Sequence, residues 1–389
     1  MRPILLLVPL PLATILHRPL MAQADPTNWH AVAAEIVNRM APKRGERVLL
    51  VGVPSVADSL VAPLREAIRA AGATDLGAVA ERGRAPAEWT TDFTRDVERR
   101  PAAERDEALR TVDAAVMMPG AQPTDPTYAS MQRVLRSGHG RTVHFHWVGA
   151  YDFSGTQLPT TADVARVYQH ALLETDYAAL LARQRAFEAA MRSNVVRIVT
   201  PLGTDLRFRI GDRPVTKQDG DASAARATQA KNLIDREVEL PAGAIRVAPI
   251  EESVDGRIAF PPSMWAGQRV EGLVLTFAGG QVTDVHAAVG REAVERELST
   301  GGTAARSFRE FALGLNPLLA IPSTEPRWIP YYGYGAGVIR LSLGDNSELG
   351  GNVRGSYVRW NFFTDATVTV GSDVWVRDGR LVHTSSPPR

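Results

Sequence analysis

Apolar and polar positions recur with two different periods along this chain, and the change of period divides it. In the first half, short apolar runs are separated by longer amphipathic stretches. Trp29–Met40 has helical spacing, and residues 47–53 form an apolar run of strand length closed by Pro54-Ser55. Residues 56–71 predict a helix, Val79 marks a second short strand, and residues 112–118 predict a third strand ended by Pro119-Gly120. Residues 126–135 predict another helix and residues 141–147 a fourth strand. Strands alternating with helices predict a layered α/β sandwich around a mostly parallel sheet. A long helical stretch is expected over residues 162–192, with Val164, Val167, Ala171, Leu172, Leu180 and Leu181 in one stripe.

From Asn194 the pattern changes to short β-rich runs between glycine-containing turns. Strands are expected at 195–200, 206–210, 244–247, 257–260, 270–277 and 282–286, and again at 337–343, 357–363, 367–370 and 374–376. Two helices are expected, near 291–298 and 304–313. Residues 212–237 are polar and turn-rich and predict a long loop. The division is therefore an N-terminal open α/β sheet domain over 25–191 and a C-terminal α+β domain over 192–389, preceded by a leader at 1–24.

That leader has the parts of a secretory signal. Arg2 supplies the positive start, residues 4–16 are apolar, and Ala22-Gln23-Ala24 places cleavage before Asp25. A secreted or periplasmic protein is expected; the alternative is a cytoplasmic one translated from Met21. No other stretch approaches the roughly 18 apolar residues of a membrane span. The net charge of +1, with no basic stripe interleaved with aromatics, predicts no nucleic-acid partner. The absence of cysteine excludes disulfides, cysteine-held zinc or iron–sulfur centres and thiol nucleophiles.

Generic catalytic motifs are missing. There is no His-Glu-x-x-His, no Gly-x-Ser-x-Gly and no phosphate-binding P-loop, and the glycines at 333, 335 and 337 precede a strand rather than open a helix. His144 and His146 stand two apart near the end of a strand, so they share a face at the edge where α/β sheets bind ligands. They read as hydrogen-bonded histidines beside Trp147 at a domain interface, or alternatively as a metal pair, which would need further ligands. A site around His144, His146 and Asp152 is a third reading.

Five blocks in the second half occur in a telling order. Residues 197–206 read Arg-Ile-Val-Thr-Pro-Leu-Gly-Thr-Asp-Leu; 241–249 read Pro-Ala-Gly-Ala-Ile-Arg-Val-Ala-Pro; 309–317 read Arg-Glu-Phe-Ala-Leu-Gly-Leu-Asn-Pro. Residues 338–346 read Val-Ile-Arg-Leu-Ser-Leu-Gly-Asp-Asn, and 358–361 read Val-Arg-Trp-Asn. Their order and spacing resemble the aminopeptidase T family of metallo-aminopeptidases. The resemblance implies a C-terminal α+β domain of the aminopeptidase T type, a homodimer, and a pair of divalent metals, zinc or cobalt, held by two Glu, two His and one Asp. Carboxylate and imidazole donors suit such metals, which can clamp a substrate oxygen and an activated water.

At the positions the resemblance assigns to those ligands stand Ala244, Glu310, Arg340, Arg359 and Asn361, and the family's catalytic Tyr falls near Ser347. Alanine offers no donor atom, and a guanidinium is a cation with donors only. A branch similar to ring-cleaving dihydroxypyridine dioxygenases implies one iron with the same ligand types, so the same substitutions argue against it. The expectation is a protein without metal cofactor, a pseudo-peptidase or a binding protein for a small peptide or carboxylate, with Arg340 and Arg359 available to an anion. The alternative for those two arginines is a purely structural ion pair with Glu310. The alternative is an exported leucyl-type aminopeptidase working through an altered constellation. Glu310, Arg340, Arg359 and Asn361 are expected to converge in one pocket with a net positive charge.

Overall fold

The computed structural model describes residues 27–382, so the expected leader lies outside the described residues. The first half builds a five-stranded, wholly parallel sheet in the order Glu237–Glu239, Arg141–His144, Ala114–Met117, Arg47–Gly52, Thr74–Ala80. The central Arg47–Gly52 strand is apolar because both of its faces are covered. Val48 and Leu50 pack under the helices Trp29–Met40 and Asp58–Ala70, in one core with Ile36, Leu60 and Leu64. Leu49 and Val51 turn to the other side, into a core with Val97, Tyr128, Met131 and Val134. The fourth strand stops at His144, three residues short of the expected end.

The stretch expected as one long helix is two, Ala162–Glu174 and Tyr177–Ser193. Thr175 is extended, and the Asp176 carboxylate accepts from the Ala179 N–H at 2.9 Å, which starts the second helix afresh. The expected domain boundary at 191/192 falls in the last turn of that second helix.

The second half forms two large antiparallel sheets and a small hairpin of Ser263–Trp265 with Gln268–Val270. Five strands run in the order Val358–Phe363, Ile339–Gly344, Phe308–Gly314, Ala244–Val247, Val215–Lys217. Eight more, from Gln281–His286 at one edge to Arg380–Leu381 at the other, form the second sheet. Phe208 of this sheet packs at 5.3 Å between ring centroids on Phe311 of the first. The segment expected as a helix at 304–313 is instead a short helical turn, Gly302–Ala305, followed by the strand Phe308–Gly314. That strand is central and every residue in it is buried, so its sequence carries no alternation to read. Residues 212–237 are not a bare loop either: they contribute the strand Val215–Lys217 and the short helix Ala224–Thr228. They then return to the N-terminal sheet, where Glu237–Glu239 pairs in parallel with Arg141–His144. No helix among the described residues is long and apolar enough to cross a membrane.

Candidate functional site

Strand parity decides which of the expected site residues meet. Directly paired residues of adjacent strands present their side chains to the same face. Arg246 pairs with Ala312, Ala312 with Arg340, Arg340 with Phe362, and Glu310 with Ser342. Ala244 lies two residues before Arg246 on the same strand, so it shares that face with Arg246, Glu310 and Arg340. Arg359 and Asn361 pair with Leu343 and Leu341, and so belong to the opposite face. The expected convergence is thus corrected: Glu310 meets Arg340, but Arg359 and Asn361 form a separate group. A one-residue offset on a strand reverses the face, and sequence spacing alone does not reveal it.

Around Glu310 the arrangement is dense and dry. Its carboxylate is fully buried and accepts from Arg246 Nε at 2.6 Å and from an Arg340 terminal nitrogen at 2.8 Å, with Arg309 Nε 3.5 Å from the second oxygen. Burial alone would raise this carboxyl, but the fields of Arg246, Arg340 and Arg309 and the Arg246 hydrogen bond hold it below the ordinary range. Arg309 joins because the pairing shifts register between Phe308 and Glu310, a bulge that lets neighbouring residues reach the same side. Arg340 is further held by the Tyr332 carbonyl at 3.1 Å and lies 4.7 Å over the Trp360 ring.

Two more acids complete the charge balance. Glu348 pairs with Arg309 and stands 3.6 Å from Arg246, while Glu239 stands 4.0 Å from Arg246 and accepts from the Tyr334 hydroxyl. Three guanidiniums therefore face three carboxylates, and the expected positive excess does not arise. Sequence reasoning missed Arg246 and Arg309. Arg246 had a readable signal, lying two residues from Ala244 on one strand. Arg309 had none, because it depends on the bulge.

These residues do not fit a pair of divalent metals. Ala244 has no donor atom, Arg340 brings a cation into the position of an imidazole, and both Glu310 oxygens are turned to guanidiniums. Among the described residues, no group of three or more His, Asp or Glu is placed to hold a metal ion. Ser347, at the expected Tyr position, donates its hydroxyl to Asp345 at 2.6 Å in a tight turn.

His144 and His146 do come together, though not as a metal pair. The Tyr128 hydroxyl lies 2.8 Å from His144 Nδ1 and 3.4 Å from His146 Nε2. His144 Nε2 is 3.6 Å from Glu237, which also accepts from Gln132 at 3.0 Å. Burial pushes the Glu237 carboxyl up to about 8 and lowers His146 to about 4, and burial with the neighbouring His146 lowers His144 well below the ordinary imidazole range, so this is a contact between neutral groups. Glu237 and Glu239 are two apart on one strand, so this cluster abuts the arginine cluster at the seam between the halves. Asp152 stays out of it: its carboxylate accepts from Ser154 and Thr156 and shapes its own turn.

Arg359 lines an open cavity of about 410 Å³ along the edge strand Val358–Phe363. Its guanidinium stacks 3.6 Å from the Trp265 centroid and donates to Glu297 at 2.9 Å, the Met264 carbonyl at 2.8 Å and Asn361 Oδ1 at 3.1 Å. A guanidinium has five N–H donors, so two remain for a ligand. The Trp360 indole N–H, also of the lining residues, has no partner among the described residues. Phe153, Met264 and Val358 leave large apolar surfaces exposed at the same cavity.

The combination of a parallel sheet with antiparallel sheets matches the fold of a solved aminopeptidase T-like structure. Residues 176–321 match the family model of the thermophilic metalloproteases, M29. Over this part of the chain the match supports the resemblance to the aminopeptidase T-like M29 family. The whole fold is similar to that of 2,5-dihydroxypyridine dioxygenase from Pseudomonas putida KT2440, with a TM-score of 0.62 at 15% identity, covering 92% of this chain and 99% of that one. It is similar also to wild-type AmpT from Thermus thermophilus, with a TM-score of 0.59 at 18% identity, covering 91% and 99%. No curated protein matches the sequence significantly.

Proposed function

We propose that this M29 protein has exchanged the family's dimetal site for a closed ion cluster and serves as a peptidase homologue that binds a small peptide or carboxylate. One observation carries the reading: Glu310 is sealed at zero exposure by guanidiniums, while Arg359 opens to a cavity with donors unspent. A terminal carboxylate there would gain charge-assisted hydrogen bonds from Arg359. The apolar rim suits the side chain of a neighbouring residue. Export and a homodimer belong to the same proposal, on the leader and the family resemblance.

The test has two arms. Purified protein is assayed with Leu-p-nitroanilide, with and without zinc or cobalt; no metal-stimulated turnover is expected. Dipeptide binding is measured by calorimetry, and Arg359→Ala is expected to weaken it about tenfold or more, the loss of one charge-assisted contact. Metal-stimulated hydrolysis abolished by a chelator would overturn the first part, and unchanged affinity in Arg359→Ala the second.

A second reading is an aminopeptidase of altered constellation. What favours it is the buried acid Glu237 and the neutral imidazoles of His144 and His146 gathered around Tyr128. It requires metal-independent hydrolysis that is lost in His146→Asn.

A further inference from the structure

A separate cavity, of about 310 Å³, opens where the helix Tyr177–Ser193 packs against the strand Val215–Lys217 and residues 226–235. Its walls carry five cations, Arg185, Arg192, Lys217, Arg226 and Lys231, but only two carboxylates, Glu188 and Asp235. Both carboxylates are already engaged. Glu188 accepts from Arg192 at 2.6 Å and from Lys217 at 2.5 Å. Asp235 accepts from the Thr216 hydroxyl at 3.0 Å and the Lys231 backbone N–H at 2.9 Å, with Arg226 3.9 Å away.

Three positive charges are therefore uncompensated in the lining. Asp219 lies within electrostatic reach of Arg226 and Lys217, and burial raises its carboxyl. Fully ionised, it would still leave two. Some donors are also unspent, although Arg192 and Lys217 donate to Glu188 and an Arg226 terminal nitrogen donates to the Lys217 carbonyl at 3.2 Å. Arg226 Nε is buried with no partner. The side-chain nitrogens of Arg185 and Lys231, both exposed residues, have no hydrogen-bond or ion-pair partner among the described residues.

This imbalance selects the ligand. A single carboxylate would cancel one charge of the excess. A phosphate group carries about −1.5 to −2 at neutral pH and offers three acceptor oxygens. Arginine forks and lysine point charges together are the side chains that hold such a group. We infer that the cavity formed by Arg185, Lys217, Arg226 and Lys231 binds a phosphate group, either as the free ion or as the ester of a small molecule. It shares no residue with the Arg359 cavity, so the two readings stand or fall separately.

The experiment is calorimetric titration of the full chain with orthophosphate, pyrophosphate and glycerol 3-phosphate, at constant ionic strength in acetate. Saturable one-site binding is expected. The double variant Arg185→Gln/Lys231→Gln, which changes two exposed side chains, is expected to weaken it at least about tenfold with an unchanged thermal melt. Arg359→Ala should leave phosphate binding intact. Tighter binding of glycerol 3-phosphate than of orthophosphate would assign the ester; the reverse order would assign the free ion. No saturable binding of any of the three anions, or equal binding by the double variant, would overturn the inference.

Discussion

Glu310 shows how its neighbours set what a buried carboxylate does. A buried carboxylate without a cation is costly, and here Arg246 and Arg340 supply the compensation directly. Such a cluster is weak evidence for net stability, but breaking it is expensive. Glu310→Gln leaves Arg246, Arg340 and Arg309 facing one another with two carboxylates instead of three, and is expected to destabilise the fold by about 3–5 kcal/mol. Urea unfolding measures this, and a loss under about 1 kcal/mol would show that the cluster relaxes or hydrates freely. The neighbouring Glu237 gives a pH signature of opposite sign. Its carboxyl stays protonated up to about 8 in the folded chain, against 4.5 as its ordinary value. Between those values the folded state holds the extra proton, so stability falls as pH rises through this window. His146 is lowered from 6.5 to about 4, so its contribution is lost as pH falls through that range. Glu310, held low, adds to the acid side in the same direction. In Glu237→Gln the decline in unfolding midpoint between about pH 6 and 8 is expected to shrink relative to the wild type. Parallel profiles for the two proteins would remove Glu237 from the account.

At the scale of elements, parity and bulges did what residue identity could not. The strand Val358–Phe363 carries Arg359 and Asn361 two apart, as a pair of ligands would need, but its pairing to Ile339–Gly344 turns them away from Arg340. The same strand is the edge of its sheet, which explains why its two faces serve different surroundings. Phe362 and Trp360 lie against Tyr151 and Tyr332, while Arg359 lies against Trp265 and Glu297. The Phe308–Gly314 strand was read as helix because a fully buried segment has apolar residues at helical and strand spacings alike. Only pairing on both sides, to Ala244–Val247 and Ile339–Gly344, selects the extended form. The helix break at Thr175-Asp176 was readable in principle, since Asp is a strong N-cap residue.

Over the whole molecule, the two halves are tied together by the strand Glu237–Glu239, which leaves the C-terminal half to join the N-terminal sheet. The polar seam lies at this crossing, with Glu237 turned to the histidines and Glu239 to Arg246 and Tyr334. Exposed Phe153, Met264 and Val358 beside the edge strand form an apolar surface that a ligand or a second copy would cover. We propose an exported homodimer, and one sample from the native host tests both parts. N-terminal sequencing is expected to begin at Asp25, and light scattering at micromolar concentration to give twice the chain mass. A start at Met21 would refute export, and a monomer the association.

What the sequence determined by itself was whatever rests on local pattern: the alternation of strands and helices in the first half, the β-rich second half, and an order of blocks that resembles the aminopeptidase T family. It also determined the chemistry of single positions, because Ala244 has no donor atom and Arg340 cannot be an imidazole in any fold. Tertiary structure alone decided which charged groups met. Arg246 and Arg309 entered the Glu310 cluster through cross-strand register and a bulge, and Glu239 and Glu348 arrived from other elements to neutralise it. Arg359 was excluded by a parity that a one-residue step reverses. The physical reason is the range of the interactions: backbone propensity is set within a few residues, whereas burial and ion pairing depend on neighbours tens of residues away, brought together only when the sheets close.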